Sequence, residues 1–436
     1  MSIEKLSRVG IGMYRMCLGS KLNENALYKA LNREIDGSKI NVIDTSTNYC
    51  DGESESLVGK VLKSSNKNLL SRSELFLATK YGYIQGNNMT LYQNGSFKNV
   101  PDEHIVHYGP NCFHCIHPEF MKDQINRSLH RMQTKYVDIL FIHNPEYFLM
   151  DKIKSSNENV KGYQKQMLDR ISQSFESMEE AIYKGQILSY GISSNSFSLT
   201  EEDKHFLPFY DLIDRAKEAS KRVRKTENHG FAAVQMPANL LERCGLETTA
   251  RWAKQNGLKV FINRPLNAFN EDGAFRLASY PKTDYEHIKS STISNLETLR
   301  RGGESNFDGQ IRFIIDLIKQ MDNVLPYIKN VFEWENYQIS VNSTIRQFQV
   351  EADINSILQH FLNTFETEVR HRGSQAVRNY LIEKYNIEEL KDENKRIEEV
   401  ALEFLLNSGV VDVVLMGMTR EEYVDFAKGM LQKFKN

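Results

Sequence analysis

The sequence predicts an α/β chain built as a (β/α)8 TIM barrel with a large helical insertion between strand seven and strand eight. Three observations predict it. Eight short apolar runs bounded by turn residues recur along the chain, as in a parallel sheet buried on both faces. Helix-length polar stretches separate most of them. Three of the early runs end in a reactive side chain: VIDTSTNY (42–49), LFLATK (75–80) and DILFIH (137–143, counting its preceding Val). In parallel barrels the strand carboxyl ends form one face, so such residues converge on one pocket.

In order, the strands are expected at residues 9–12, 40–44, 75–80, 137–143, 187–193, 231–235, 258–262 and 411–416. Each is rich in Val, Ile, Leu or Phe and stops at a polar residue or a turn. Helical patterns fall between them, as at 121–132 and at 175–184, the second closed by Gly185 where a helix end favours glycine. Eight βα units argue for a closed barrel over an open sheet.

A barrel needs about 250 residues, so a chain of 436 carries more than one. The surplus lies between strand seven, ending near Pro265, and a helix expected at 396–407. Ile311, Ile314, Ile315, Ile318, Met321 and Leu325 repeat at helical spacing on one face, and 354–369 behaves likewise. Because residues 270–395 interrupt the barrel, they are read as an insertion packed near its mouth within one barrel of 1–436. The insertion could cap the site, form an oligomer surface or be plain structural decoration; Phe332, Trp334 and Tyr337 suit either core or contact surface.

Composition sets boundaries. Fifty-five Lys and Arg against 57 Asp and Glu leave a net charge of −2, with no electrostatic footprint for nucleic acid. No apolar run has the length of a membrane span, and the start MSIEKLSRVG lacks a secretory apolar core. Five cysteines suggest reduced thiols and a cytoplasmic location. The charged run 391–399 reads as a solvated helix start. Nothing in composition fixes the oligomeric state.

Asp44, Tyr49, Lys80 and His143 are the chemical core of this reading. A tyrosine titrating near 10 is a reluctant proton donor at neutral pH. A lysine ammonium beside it stabilises the phenolate and lowers that value, and a carboxylate keeps the lysine charged and in place. A histidine nearby can donate to a substrate oxygen and orient it. The set suits moving a proton at an oxygen while hydride moves at carbon, and side chains supply no hydride, so a nicotinamide cofactor is implied.

The order and spacing of these four residues resemble the aldo-keto reductase superfamily. Three further stretches share the resemblance: GISSN (191–195), VQMPANLL (234–241) and VLMGMTREEYV (414–424). By resemblance, Tyr49 is the general acid or base, Lys80 tunes it, Asp44 pairs the lysine and His143 orients substrate. Ser193, Ser194 and Gln235 would hold the nicotinamide carboxamide, with Gly12, Met13 and Tyr14 beside the cofactor. Gly417, Thr419 and Arg420 would meet its phosphates at a helix N-terminus, and Asp425 aligns near the adenine. The similarity spans about residues 1–266 and 396–436.

Two features depart from the family pattern. In FINRPL, Asn263 and Arg264 stand before Pro265 where many members stack a tyrosine on the nicotinamide. Met416 and Glu422 occupy positions that are basic in members using NADPH, and a carboxylate repels a 2′-phosphate while accepting from a ribose hydroxyl. The expectation is NAD or NADP, tilted toward NAD, with Arg420 the residue that could serve a phosphate.

The segment after strand three, residues 81–118, is long and carries His104, His107, Cys112, His114, Cys115 and His117. A single Cys-x-x-Cys without a second pair is a weak zinc pattern, so no metal is expected and a lid is preferred. CIHPEF (115–120) and FIHNPEYFL (141–149) resemble a subgroup that includes sugar (aldose and lactol) dehydrogenases. Tyr81, Asn144 and Arg264 are candidate pocket residues. Two functions follow: an oxidoreductase acting on a sugar lactol or small aldehyde, or a nucleotide-binding regulatory subunit on the same fold. The complete tetrad favours the enzyme.

Overall fold

The computed structural model describes residues 6–33, 39–156, 159–301, 308–328, 331–347 and 351–434, with backbone alone at 331 and 332. Its strands are β1 (Val9–Gly12), β2 (Val42–Asp44), β3 (Phe76–Tyr81), β4 (Tyr83–Ile84), β5 (Val106–Gly109), β6 (Cys112–His114), β7 (Val137–His143), β8 (Ile187–Ser193), β9 (Phe231–Pro237), β10 (Lys259–Asn263), β11 (Asn267–Asn270), β12 (Gly273–Arg276) and β13 (Val413–Gly417). Eight of them close a barrel in the order β1-β13-β10-β9-β8-β7-β3-β2, every neighbouring pair parallel. All eight expected strands are present, three with the expected bounds and five with an end shifted by one or two residues.

The interior follows from the period of two along a strand. Val42, Phe76, Ala78, Ile139, Phe141, Ala233, Phe261, Val413 and Leu415 form a single buried cluster inside the barrel. Phe76 stacks on Phe261 with ring centroids 5.9 Å apart. Gly191 on β8 leaves room for this packing. A Cβ there would lie 2.5 Å from both the Ala233 carbonyl oxygen and the Phe141 ring, so any side chain would push the strands apart. Branched residues on the alternate positions, such as Ile43, Leu77, Leu140 and Ile142, are also buried, as a two-faced sheet requires.

The expected helices are found, with bounds set by capping. The helix Pro118–Arg131 begins at His117, whose ring nitrogen accepts from the Glu119 N–H, with proline in its first turn. Residues 175–184 belong to a longer helix, Val160–Tyr183. The segment after β3 is more structured than a loop. It holds a helix, Gly86–Gln93, and an antiparallel sheet in the order β4-β6-β5.

By contact the chain divides into two compact units, Met1–Pro265 with Leu402–Asn436, and Leu266–Ala401. The second begins with the hairpin of β11 and β12, four residues earlier than the helical pattern implied, and continues through helices Tyr285–Arg301, Asp308–Val324, Val331–Gln347 and Ala352–Tyr385. Its core gathers Ile311, Ile314, Ile315, Ile318, Met321 and Leu325 around Trp334, Phe361 and Phe365. Of the three aromatics expected to cluster, Trp334 is fully buried and lies 6.1 Å from the Tyr337 ring, while the Phe332 side chain is outside the described residues. No helix among the described residues is long and apolar enough to cross a membrane.

Candidate active site

The alternation that fills the barrel with apolar side chains also builds the site. Two residues beyond Val42, Ala78, Phe141, Gly191, Ala233 and Phe261 come Asp44, Lys80, His143, Ser193, Gln235 and Asn263. The last inward position of six strands is therefore polar, and these side chains form one layer over the apolar core. Tyr49 reaches the same layer from the turn Tyr49–Gly52 that follows β2.

Within this layer the groups are joined end to end. Lys80 is fully buried and its ammonium donates to Asp44 Oδ2 at 2.5 Å, to the Thr45 carbonyl at 2.9 Å and to the Tyr49 hydroxyl at 3.3 Å. Gln235 Nε2 donates to the other Asp44 oxygen at 2.8 Å, and Ser193 Oγ donates to Gln235 Oε1 at 2.9 Å. Asn263 Nδ2 approaches the same Gln235 oxygen at 3.5 Å, and Asn263 Oδ1 is buried with no partner among the described residues. Asn263 was read from sequence only as the loss of a stacking tyrosine. Its inward position in the same register as Gln235 was the signal that it belongs to the amide cluster.

Burial and neighbouring charge set the protonation states. Burial raises the Tyr49 phenol above its ordinary value and Asp44 adds to this, together outweighing the Lys80 ammonium, which acts in the opposite sense. The expectation that lysine leaves the tyrosine with a lowered value is corrected, because the desolvation of the phenolate is the larger effect. For Lys80, burial alone works against the charge, but Asp44 and Tyr49 prevail and the ammonium is held above its ordinary value. Burial, then Lys80 and His114, push His143 well below the usual imidazole range, so it is neutral.

His143 Nδ1 lies 3.2 Å from Ser46 Oγ, which gives its proton to Asn48 Oδ1 at 2.7 Å. The neutral ring therefore donates from Nδ1 to Ser46 and keeps a lone pair on Nε2. Tyr83 stands edge-on to the His143 ring at 4.8 Å and to Tyr147 at 5.2 Å, and His114 Nε2 meets the His143 carbonyl at 2.7 Å. His114 is neutral too, its value pulled down to about 4 by burial.

The candidate pocket residues separate. Asn144 follows His143 with a left-handed backbone, φ 51°, and its amide accepts from the Tyr83 hydroxyl at 2.6 Å while its nitrogen donates to Glu146 Oε1 at 3.2 Å. Tyr81 is fully buried one residue past Lys80, on the outward face of β3 by the same alternation, and does not join the site. Arg264 forms an ion pair with Glu242 at 2.9 Å. Glu146 was missed from sequence. It accepts from Ser194 Oγ at 2.7 Å and from the Asn195 N–H at 3.0 Å, and burial pushes its carboxyl up to about 7.

The expected cofactor residues lie at the strand ends or just beyond. Gly12 pairs in register with both Asp44 and Gly417, and the Met13 N–H donates to the Asp44 carbonyl at 3.0 Å. Tyr14 is 65% exposed with its ring edge-on to Tyr49 at 5.2 Å. Gly417 has open space where a Cβ would stand, and Thr419 and Arg420 lead into the helix Glu421–Lys433. Asp425 is engaged by Lys29 at 2.7 Å, and Lys29 also lies 3.6 Å from Glu421.

The cysteines call for a correction. Cys17 and Cys50 are joined by a disulfide, so the expectation of five reduced thiols does not hold, and only Cys112, Cys115 and Cys244 are free. A separation of 33 residues concealed the pair in sequence; barrel closure brings the segment after β1 beside the turn after β2. Cys115 is buried and its thiol is pushed up to about 12, the reverse of what a thiolate ligand requires. No group of three or more His, Cys, Asp or Glu that could hold a metal ion occurs among the described residues.

Comparison with known proteins is consistent with this geometry. The aldo/keto reductase family model matches residues 8–275, more than half of the chain. Norsolorinic acid reductase B of Dothistroma septosporum is 31% identical over 153 residues, covering 35% of this chain and 29% of that protein. Aldo-keto reductase YhdN of Bacillus subtilis is 23% identical over 258 residues, 59% of this chain and 57% of that protein. The NADH-specific methylglyoxal reductase of Escherichia coli is 28% identical over 146 residues, 32% and 38% of the two chains. These matches thus cover less than two thirds of each relative. Among solved structures, the holo form of an aldo-keto reductase from Bacillus halodurans aligns over 98% of this chain and 87% of its own, at 16% identity and a TM-score of 0.48. On the family match, the chain belongs to the aldo/keto reductase family.

Proposed function

We propose that this protein is an NAD(P)-dependent oxidoreductase that reduces a carbonyl, with Tyr49 as general acid, Lys80 as the charge beside it, Asp44 as the partner of Lys80, and His143 as the group that orients substrate. The observation that carries the reading is the unbroken chain of hydrogen bonds Tyr49–Lys80–Asp44–Gln235–Ser193. It runs from the proton donor to the amide cluster.

That cluster fits a nicotinamide. The buried, unpartnered Asn263 Oδ1 is an acceptor in need of an N–H, and the Ser193 hydroxyl and Gln235 amide beside it can re-pair with a carboxamide. The open space at Gly417 and the N–H groups that begin the helix Glu421–Lys433 suit the phosphates. A nicotinamide held there supplies the hydride that no side chain can. The chain's own residues handle the proton. Tyr49, like any phenol, keeps its proton at neutral pH, and its raised value holds it more firmly, so it can release it to a substrate oxygen only as charge builds there. The phenolate left behind is met by Lys80, already 3.3 Å away and held charged by Asp44.

His143 sharpens the substrate class. With Nδ1–H committed to Ser46, Nε2 accepts rather than donates, and a substrate hydroxyl is the group that meets it. A hydroxyaldehyde, such as the open form of an aldose, offers both a carbonyl for Tyr49 and a neighbouring hydroxyl for His143. For the cofactor we favour NAD. Glu421 and Glu422 open the last helix, and one relative is named as NADH-specific.

The test is nicotinamide absorbance with a panel of aldoses, lactols and aldehydes, using both cofactors on wild type and Tyr49→Phe. Expected is turnover by wild type that falls at least about 100-fold in Tyr49→Phe. Tight nucleotide binding with no turnover on any substrate would overturn the enzyme reading and support a regulatory subunit. A tenfold or greater preference for NADP(H) would overturn the cofactor choice.

A further inference from the structure

Tyr49 sits in a turn that is held from two sides. Directly after it, Cys50 and Asp51 adopt left-handed backbone, φ 44° and 58°, a conformation disfavoured for L residues. Asp51 is anchored to the segment after β4: its Oδ1 accepts from the Asn87 N–H at 2.7 Å, and its carbonyl accepts from Asn87 Nδ2 at 3.2 Å. Cys50 is anchored on the other side by its disulfide to Cys17, with the two Cα atoms 5.6 Å apart. Cys17 lies three residues past Tyr14, whose ring touches Tyr49. The bond therefore ties together the segment expected to lie beside the cofactor and the turn that carries the proton donor. Both cysteines are half-buried, within reach of a small thiol.

We propose that the Cys17–Cys50 bond is a reversible thiol–disulfide exchange site that controls the catalytic turn. Closed, it holds Tyr49 against Lys80; opened, it frees Cys50 to leave the left-handed region and loosens the turn. The opening step uses a low-molecular-weight dithiol. One of its thiolates attacks a cysteine sulfur, the Cys17–Cys50 bond breaks, and a mixed disulfide forms. The second thiol then closes the reagent's own disulfide. Two electrons pass to the protein and two protons end on the sulfurs of Cys17 and Cys50. Closure is the reverse, with a low-molecular-weight disulfide as oxidant.

The proposal rests on the oxidoreductase reading for its effect on rate, so exchange is also measured without turnover. The full-length protein is equilibrated with oxidised glutathione or with dithiothreitol. Thiols are counted after acid quenching and unfolding, so that the buried Cys115 is included, and amide hydrogen exchange is followed over residues 46–52 and 86–93. Expected are three titratable thiols rising to five on reduction, in line with the three free cysteines and one bond. Exchange in both segments should quicken by about tenfold or more. Turnover should fall about fivefold or more on reduction and return on reoxidation. Cys17→Ser should match the reduced wild type in hydrogen exchange and turnover, and dithiothreitol should change neither. Five thiols in the glutathione-oxidised protein would overturn the proposal, as would hydrogen exchange unchanged on reduction. If neither redox form turns over any substrate, the oxidoreductase reading fails, and hydrogen exchange alone decides this one.

Discussion

Replacing Asp44 by Asn tests the centre of the site at nearly constant volume. Lys80 has no exposed surface, and Asp44 Oδ2 at 2.5 Å is its sole charged partner among the described residues; its other partners there are the Thr45 carbonyl and the Tyr49 hydroxyl. Removing one member of a buried pair costs about 3–5 kcal/mol, because the remaining charge is left without compensation. The new amide nitrogen makes this worse. Placed on either side it faces a donor, Lys80 Nζ or Gln235 Nε2. A loss of about 4 kcal/mol is a large share of the 5–15 kcal/mol typical of a domain. Because Lys80 is held above its ordinary value, the pair's contribution is complete below the unfolded lysine value near 10.5 and disappears as pH rises through the folded one. The deficit should therefore be level between about pH 7 and 9 and shrink only at higher pH. The assay is denaturant unfolding followed by tryptophan fluorescence. The chain has two tryptophans, Trp252 in the barrel unit and Trp334 in the other, so Trp334→Phe leaves Trp252 to report on the barrel. That background shortens a fully buried indole in the second unit's core, so the Asp44→Asn deficit is taken within it, against Trp334→Phe alone. A deficit below about 1 kcal/mol, with Tyr49 turnover intact, would refute the account of Lys80 as a buried charge held by Asp44.

Two further outcomes follow from the rim of the site. Glu146 holds its proton up to about 7 when folded and releases it near 4.5 when unfolded, so the folded state binds more protons between these values and stability falls as pH rises through that window. Glu146→Gln should abolish this fall, worth about 3 kcal/mol at most, and an unchanged stability–pH profile in the variant would show that burial is not what raises Glu146. With His143 Nε2 accepting, glycolaldehyde should have a kcat/KM about fivefold above acetaldehyde, the worth of one neutral hydrogen bond, and His143→Leu should erase the difference; equal values in wild type would mean that His143 makes no hydrogen bond to the neighbouring hydroxyl.

The fold was legible because parallel strands buried on both faces leave a signature that polar turns cannot blur: all eight barrel strands appear as runs such as VDILFIH. The polar layer at the strand ends was legible for the same reason. Counting by two from Phe76 through Ala78 reaches Lys80 and places Tyr81, a candidate pocket residue, on the other face of the strand. Asn263 could have been found by the same count from Phe261. What sequence hid were pairings set by closure of the barrel and by local turns. Cys17 and Cys50 meet because β1 and β2 are neighbours, and the short strands β4, β5 and β6 lie in a segment read as a lid, whose strands are too short to show an alternating pattern. The direction of the Tyr49 shift was hidden as well. A neighbouring lysine is visible in sequence, whereas the depth of burial that outweighs it is not.

That direction makes the site consistent as a whole. One ammonium and one carboxylate, Lys80 and Asp44, cancel, and burial keeps Tyr49 protonated and His143 uncharged. The resting layer is therefore close to neutral despite its polar lining, and it opposes neither the cationic oxidised ring of a nicotinamide nor the neutral reduced one. Charge appears only when Tyr49 gives up its proton. It then appears 3.3 Å from the Lys80 ammonium, whose counter-ion is anchored on its far side by Gln235. Raising the tyrosine's value by burial thus does not work against proton transfer. In the proposed reduction it keeps the proton in place until a developing alkoxide draws it, and it leaves the lysine to stabilise the phenolate at the moment it forms.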